Sequence, residues 1–235
     1  MTSVKDGRAG QHKLRTVVTS PTGRSKVPES VHAIRQEHRF IVAVLHCFEQ
    51  VLQEMGDHNV EVDPAFFRAV IEYIREFPDR FHHPKEDRYL FKALARRRPD
   101  LKGVLDELSE QHREGERRTA DLMWKAKAFE SSGMTEFDAF SAAAFDYIRF
   151  QRNHLSLEEG KIIPAAVECL TDGDWAEIDA AFADNDDPVF GSEPKQRFQS
   201  LISEIVRRAP EPHGLARRTE PDERRSHRSL LRNRL

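Results

Sequence analysis

Through the middle of this chain apolar residues recur in steps of three and four, the period of a helix that buries one face. The first such line is Val31, Ile34, His38, Ile41, Leu45, Phe48, Leu52 and Met55, which predicts a helix from Pro28 to Met55 with Gly56 as its stop. A second helix starts at Asp63-Pro64, a capping side chain followed by proline in the first turn. Its line is Phe67, Val70, Ile74, Phe77 and Phe81, continuing to Leu90 and Leu94, with Pro78 and Pro84 inside it. An interior proline costs an α-helix ~3 kcal/mol, so either a kink or a fresh start at His82-His83-Pro84 is expected.

The third line follows Pro99-Asp100 and reads Leu101, Leu105, Leu108, His112, Glu116, Thr119, Met123, Ala126. The fourth begins near Thr135 and reads Phe137, Phe140, Ala144, Tyr147, Gln151, His154, Glu158, Ile162, with Pro164 near its end. Two shorter helices follow, one from Asp174 to Ala183 and one opening at Ser192-Glu193-Pro194. No strand-like alternation and no glycine-rich phosphate loop interrupts them. The expected fold class is therefore all-α: an up-and-down antiparallel four-helix bundle over residues 29–170, with short additional C-terminal helices over 171–211 packed on it.

Composition changes this picture at the ends. Of the 235 residues 38% are hydrophobic and 33% charged, leaner in apolar side chains than a dense globule. The formal net charge of −3 hides +5 on residues 1–28 and +4 on 214–235, leaving −12 for 29–213. Residues 1–28 and 212–235 carry no apolar period and read as flexible basic tails. The first suits a transit peptide only superficially, since it has no amphipathic face. An arginine-rich tail is weak evidence for an anionic partner, and the acidic middle argues against nucleic acid. No run of ~18 apolar residues offers a membrane span. Cys47 and Cys169 are too few for a disulfide scaffold; reduced and buried, they fit the cytoplasm.

The chemistry sits on the buried lines. His82 and Glu86, His112 and Glu116, and His154 and Glu158 each share i, i+4 spacing, about 6 Å along one helical face at ~1.5 Å per residue, and His38 falls in the same register on the first helix. One such pair is ordinarily a surface hydrogen bond. Three pairs and a fourth histidine converging in a low-dielectric core would be prohibitive without compensation. Two divalent cations supply it, with carboxylates bridging and imidazoles terminating, and an all-nitrogen-and-oxygen donor set favours iron, or manganese, over structural zinc. His83 (i+3 from Glu86) and Glu159 (i+5 from His154) are the adjacent alternatives. Tyr147 lies two turns before His154 on the same face. His32 and His46 fall off the first helix's line; His12, His58, His213 and His227 fall in loops or tails.

The segment from Asp79 to Phe91, DRFHHPKEDRYLF, resembles the central signature of hemerythrin-like (HHE) cation-binding domains; Gln111-His112 to Gly115 and Asn153-His154 to Gly160 resemble its third- and fourth-helix signatures. The resemblance implies an up-and-down bundle with a non-haem di-iron centre, oxo- or hydroxo- and carboxylate-bridged, whose ligands here would be His38, His82, Glu86, His112, Glu116, His154 and Glu158. It implies binding or sensing of dioxygen, a related diatomic or peroxide ligand, or iron. The alternatives are a di-iron redox enzyme (peroxide or nitric oxide turnover, ferroxidase chemistry) and a structural bundle holding an unrelated metal. Oxygen-carrying members have histidine where this chain has Glu116, five histidines and two carboxylates in all. Four histidines and three carboxylates would harden the site toward oxidation or sensing.

Overall fold

A computed structural model describes residues 27–58, 60–183 and 194–210. The arm expected over 1–28 (Val27 and Pro28 apart) and the tail over 212–235 lie outside these residues, as do His12, His213, His227 and the side chain of His58. The described residues are all-α. Helix α1 (Glu29–His58) runs through Gly56, where the sequence predicted a stop, because glycine in a helix costs only ~1 kcal/mol. It is followed by α2 (Pro64–Ile74), whose first turn is capped by Asp63 Oδ1 accepting from the Ala65 amide at 2.9 Å.

From Pro64 to Arg97 the chain stays helical through both prolines. It does so by alternating winding: π-helical over Arg75–His82, α3 (His83–Lys85), π-helical over Glu86–Phe91, then α4 (Lys92–Arg97). A π turn bonds i to i+5 and so accommodates the missing proline N–H and the bulk of its ring. Next come α5 (Lys102–Ser132), closed by Gly133 at φ 64°, and α6 (Phe137–Leu157). A third π segment, Glu158–Ile162, leads into α7 (Ile163–Cys169), which carries Pro164. Helices α8 (Asp172–Ala183) and α9 (Pro194–Arg208) complete the described chain. None of these helices is long and apolar enough to cross a membrane.

Two apolar clusters form. One gathers Ile41, Phe48, Phe67, Phe81, Phe140 and their neighbours; the other gathers Ile34, Leu94, Leu108, Ile162 and Trp175. Each long helical stretch passes from one to the other, and successive stretches do so in opposite order: Ile34 to Ile41 in α1, Phe81 to Leu90 between the π segments, Leu108 to Leu122 in α5, Ile148 to Ile162 through α6. The crossing points are His38, His82–Glu86, His112 and His154–Glu158, so the polar residues lie in one layer between two oily ones. Helices α8 and α9 pack on the earlier ones. Asp179 of α8 accepts from the Ser30 amide at 2.9 Å at the start of α1, and Phe198 of α9 packs on Phe77 with centroids 4.6 Å apart. Cys47 and Cys169 are free thiols, half-buried where full burial was expected.

Candidate metal centre

The three π segments coincide with the site. The wider winding over Arg75–His82 and Glu86–Phe91 turns His82, His83 and Glu86 all inward, at 0%, 2% and 0% exposure. In a regular α-helix adjacent residues stand ~100° apart and His83 would face away from His82. His38, His112, His154 and Glu158 are equally buried, at 5% exposure or less.

Four of the imidazoles are oriented alike. His38 Nδ1–H donates to Glu159 Oε1 (2.8 Å), His82 Nδ1–H to Glu37 Oε2 (2.7 Å), His112 Nδ1–H to Asp87 Oδ2 (2.9 Å) and His154 Nδ1–H to Gln111 Oε1 (3.0 Å). A carboxylate only accepts, so the outer nitrogens of His38, His82 and His112 carry a proton, the Gln111 oxygen asks the same of His154, and all four Nε2 atoms point inward. These acceptors form a closed ring: α1 holds the histidine after α2, the second π segment holds α5, α5 holds α6, and the third π segment holds α1. Each acceptor is the chain neighbour of an inward residue (Glu37 beside His38, Asp87 beside Glu86, Gln111 beside His112, Glu159 beside Glu158). Two are themselves anchored, Asp87 by Ser109 Oγ at 2.5 Å and Glu159 by Arg35 Nε at 3.2 Å.

Inside the ring, His38 and His82 face each other with Nε2 atoms 3.1 Å apart, and His112 and His154 do so at 3.2 Å. Opposed lone pairs at that distance repel unless a cation, proton or metal, lies between them. Glu86 lies between the two pairs, its oxygens 3.7 Å from His38 Nε2, 3.6 Å from His82 and 3.7 Å from His112. Glu158 does the same at 3.4 Å from His38, 3.7 Å from His112 and 3.2 Å from His154. All four oxygens of these two glutamates are buried without a hydrogen-bond partner. The donors therefore fall into two sets that share both carboxylates: His38, His82, Glu86, Glu158, and His112, His154, Glu86, Glu158.

His83 forms a further set with His112 and His154 alone. Its donor nitrogen lies within 4.8 Å of those of His112 and His154, and its ring stacks on His112 with centroids 4.3 Å apart and planes 10° from parallel. Gln151 Nε2 approaches His83 Nε2 at 3.2 Å. Glu116 is not brought in: it is exposed and belongs to none of these donor sets. The inward line of α5 runs His112, Gly115, Thr119, Leu122, so the step after His112 is three residues and not four. Gly115 faces Asp79, whose Oδ1 would stand in ordinary contact, 3.8 Å, from an added Cβ. Glu159 is also outside the donor sets, half-exposed and serving as acceptor for His38. His32 and His46 are exposed.

Proton affinities follow from this packing. Burial lowers the affinity of His38, but Glu159, Glu86 and Glu158 more than offset it and raise its pKa to about 10. Burial likewise lowers that of His112, and Asp87, Glu158 and Glu86 lift it to about 10. His83 is driven well below its ordinary value by burial and then by the neighbouring histidines. Burial raises Glu158, and the surrounding histidines reverse that and pull it well below the carboxylate range. Positive charge is thus favoured at one member of each facing pair, and a divalent cation satisfies the same demand. A second buried group, Asp79, Tyr73 and Tyr147, also keeps oxygens without hydrogen-bond partners beside the centre, and burial raises Asp79 to about 7.

The family model for the hemerythrin HHE cation-binding domain matches residues 29–166, which include every donor named above. The chain belongs to this hemerythrin-like family. Among curated proteins, this HHE chain is similar to "Uncharacterized protein Rv1995" of Mycobacterium tuberculosis and "Uncharacterized protein Mb2018" of Mycobacterium bovis, each 20% identical over 173 residues. The match covers 74% of this chain and 66% of each relative, so the chain spans just under two thirds of their length. No solved structure matches it. Helices α8 and α9 lie beyond the end of the HHE match.

Sequence reasoning did not find Glu37, Asp87 and Gln111. The available signal was the polar residue flanking each inward residue, which reads as surface until the neighbouring helix is placed.

Proposed function

We propose that this chain is a non-haem di-iron protein that binds or senses dioxygen or a related small ligand. The observation that carries the reading is the pairing of inward Nε2 atoms while the outer Nδ1–H groups of His38, His82, His112 and His154 are engaged, around two carboxylates that have no other partner. His38 and His82 would hold one iron, and His112, His154 and His83 the other, with Glu86 and Glu158 shared. The four long helical stretches, crossing the polar layer in alternating directions, would form an up-and-down bundle over residues 29–170, with 171–211 as an appended extension.

A bound iron pair would supply reversible redox change and an attachment point for a diatomic ligand. The rest of the work falls to the chain. The ring of outer acceptors fixes His38, His82, His112 and His154 each in one orientation, which raises their basicity toward a metal. The two apolar clusters exclude bulk water from both sides. With Glu116 outside and His83 inside, the donor set is five histidines and two carboxylates, the composition associated above with ligand binding. The His38/His82 side has fewer donors than the other, and a small exogenous ligand is accommodated there. Manganese would fit the same oxygen and nitrogen donors. The free thiols of Cys47 and Cys169 suit a reducing compartment, and we place the protein in the cytoplasm.

The test is gas uptake by anaerobic, ferrous-loaded protein. Repeated uptake and intact release of dioxygen, or a stable ligand-bound spectrum, supports this reading. Steady turnover of peroxide, lost in His112→Ala, would replace it with the enzyme.

A further inference from the structure

Of the five inward histidines, four have an acceptor behind Nδ1 and His83 does not. Its Nδ1 is buried without a hydrogen-bond partner among the described residues. The carboxylate of Asp79, four residues earlier in the same helical stretch, stands on that side, with Oδ1 3.9 Å from Nδ1. Asp79 is 3% exposed, and both of its oxygens are buried without partners as well. Two acceptor atoms and one ring nitrogen thus lie unpaired beside each other in the core, where polar groups are almost always paired. The Thr119 hydroxyl gives its proton to the Gly115 carbonyl at 3.0 Å and has none left for Asp79.

The far side of the ring sets the direction of the bond. Gln151 Nε2 stands 3.2 Å from His83 Nε2. An amide nitrogen only donates, so His83 Nε2 accepts, and the single proton of the ring is on Nδ1, facing Asp79. We propose that Asp79 accepts this proton and is the positioning residue for His83. From 3.9 Å, a movement of about 1 Å brings the two atoms to ordinary bonding distance. The bond completes the outer set with a fifth held imidazole, its acceptor coming from its own helical stretch and not from a neighbouring helix. Asp79 belongs to none of the donor sets, so it acts through His83. The consequence for metal rests on the di-iron reading above. The donor nitrogen of His83 lies within 4.8 Å of those of His112 and His154. With Nδ1–H engaged, the lone pair that a metal needs stays on Nε2, which exchanges the Gln151 amide for the ion.

The experiment has two arms on the full-length chain. The first is nitrogen NMR of the metal-free protein with isotope-labelled histidine, the His83 signals being identified by their loss in His83→Gln. The expected result is a proton on Nδ1 in the wild type. In Asp79→Leu the proton should move to Nε2, with Gln151 turning its amide oxygen to accept it, whereas Asp79→Asn keeps a carbonyl acceptor and should keep Nδ1–H. The second arm is chelator competition for Co²⁺. Asp79→Leu should lose roughly 10–100-fold in affinity, the range for partners behind metal-binding histidines, with Asp79→Asn recovering most of it. With His83 already replaced by Gln, the same Asp79→Leu change should cost less than about twofold, because nothing remains for Asp79 to position. Should the leucine variant fail to fold, Asp79→Ala carries the same predictions. A wild-type proton on Nε2 overturns the proposal, as does unchanged affinity in Asp79→Leu or a loss undiminished in the His83→Gln background. No Co²⁺ binding by the wild-type chain would overturn the metal reading instead, and the tautomer of the metal-free protein would then decide the Asp79–His83 bond by itself.

Discussion

Glu37→Ala tests whether the outer ring holds the metal-binding geometry. Glu37 Oε2 is the acceptor for His82 Nδ1–H at 2.7 Å, while His82 itself is fully buried with its other nitrogen facing His38. Without that acceptor the imidazole loses its fixed tautomer and leaves a buried N–H unpaired. A hydrogen bond to a charged group contributes about 1.5–3 kcal/mol. At ~1.4 kcal/mol per decade, that is roughly 10–100-fold in metal affinity, the usual range for partners behind metal-binding histidines. Competition between the protein and a chromogenic chelator for Co²⁺ reads this directly. Glu37→Gln keeps an acceptor oxygen and should recover most of the affinity, separating hydrogen bonding from charge. Asp87→Ala, acting on His112 from the next position in the ring, should show a loss of similar size. Wild-type affinity in Glu37→Ala and Asp87→Ala would refute the argument that these acceptors preorganise the centre.

Glu116→Ala should leave metal stoichiometry unchanged and shift stability by no more than ~0.5 kcal/mol, as for other exposed sites, whereas His83→Ala should lower metal affinity; elemental analysis and chelator competition on both variants check this, and the reverse pattern would restore Glu116 as a ligand. Loading metal at pH 7 should release about two protons per chain, because His38 and His112, with pKa values near 10, are charged in the metal-free protein and must be neutral to coordinate. In the metal-free fold these raised values contribute stability in full below pH ~6.5 and lose it as pH rises toward about 10; the loaded protein should instead destabilise on acidification, and urea melts across pH 6–10 with and without metal show both slopes. Stripping the metal should lower unfolding free energy by RT ln(1 + [L]/Kd), about 2.7 kcal/mol when free metal stands at 100 times Kd; equal urea midpoints with and without chelator would contradict it.

Helical periodicity made the all-α fold readable, because a buried stripe leaves the same mark in sequence as in space. His38, His82, Glu86, His112, His154 and Glu158 stood out for the same reason, as polar residues on apolar lines, and all six meet in one layer. Glu116 stands outside the layer because i+4 and i+3 are both helical steps, and after His112 α5 turns Gly115 inward and leaves Glu116 exposed. His83 stayed ambiguous because regular α geometry cannot turn two adjacent residues inward; the π winding around Pro78 and Pro84 can, and proline signals a disturbance without specifying its form. The acceptor ring was hidden because each of its bonds joins neighbouring helices across at least 25 residues of chain.

The most direct measurement is metal content after anaerobic loading with ferrous iron, exposure to air and removal of unbound ions, read with the visible spectrum. The account predicts two irons per chain and charge-transfer absorption from a coupled ferric pair. One iron or none, with no such absorption, would contradict it.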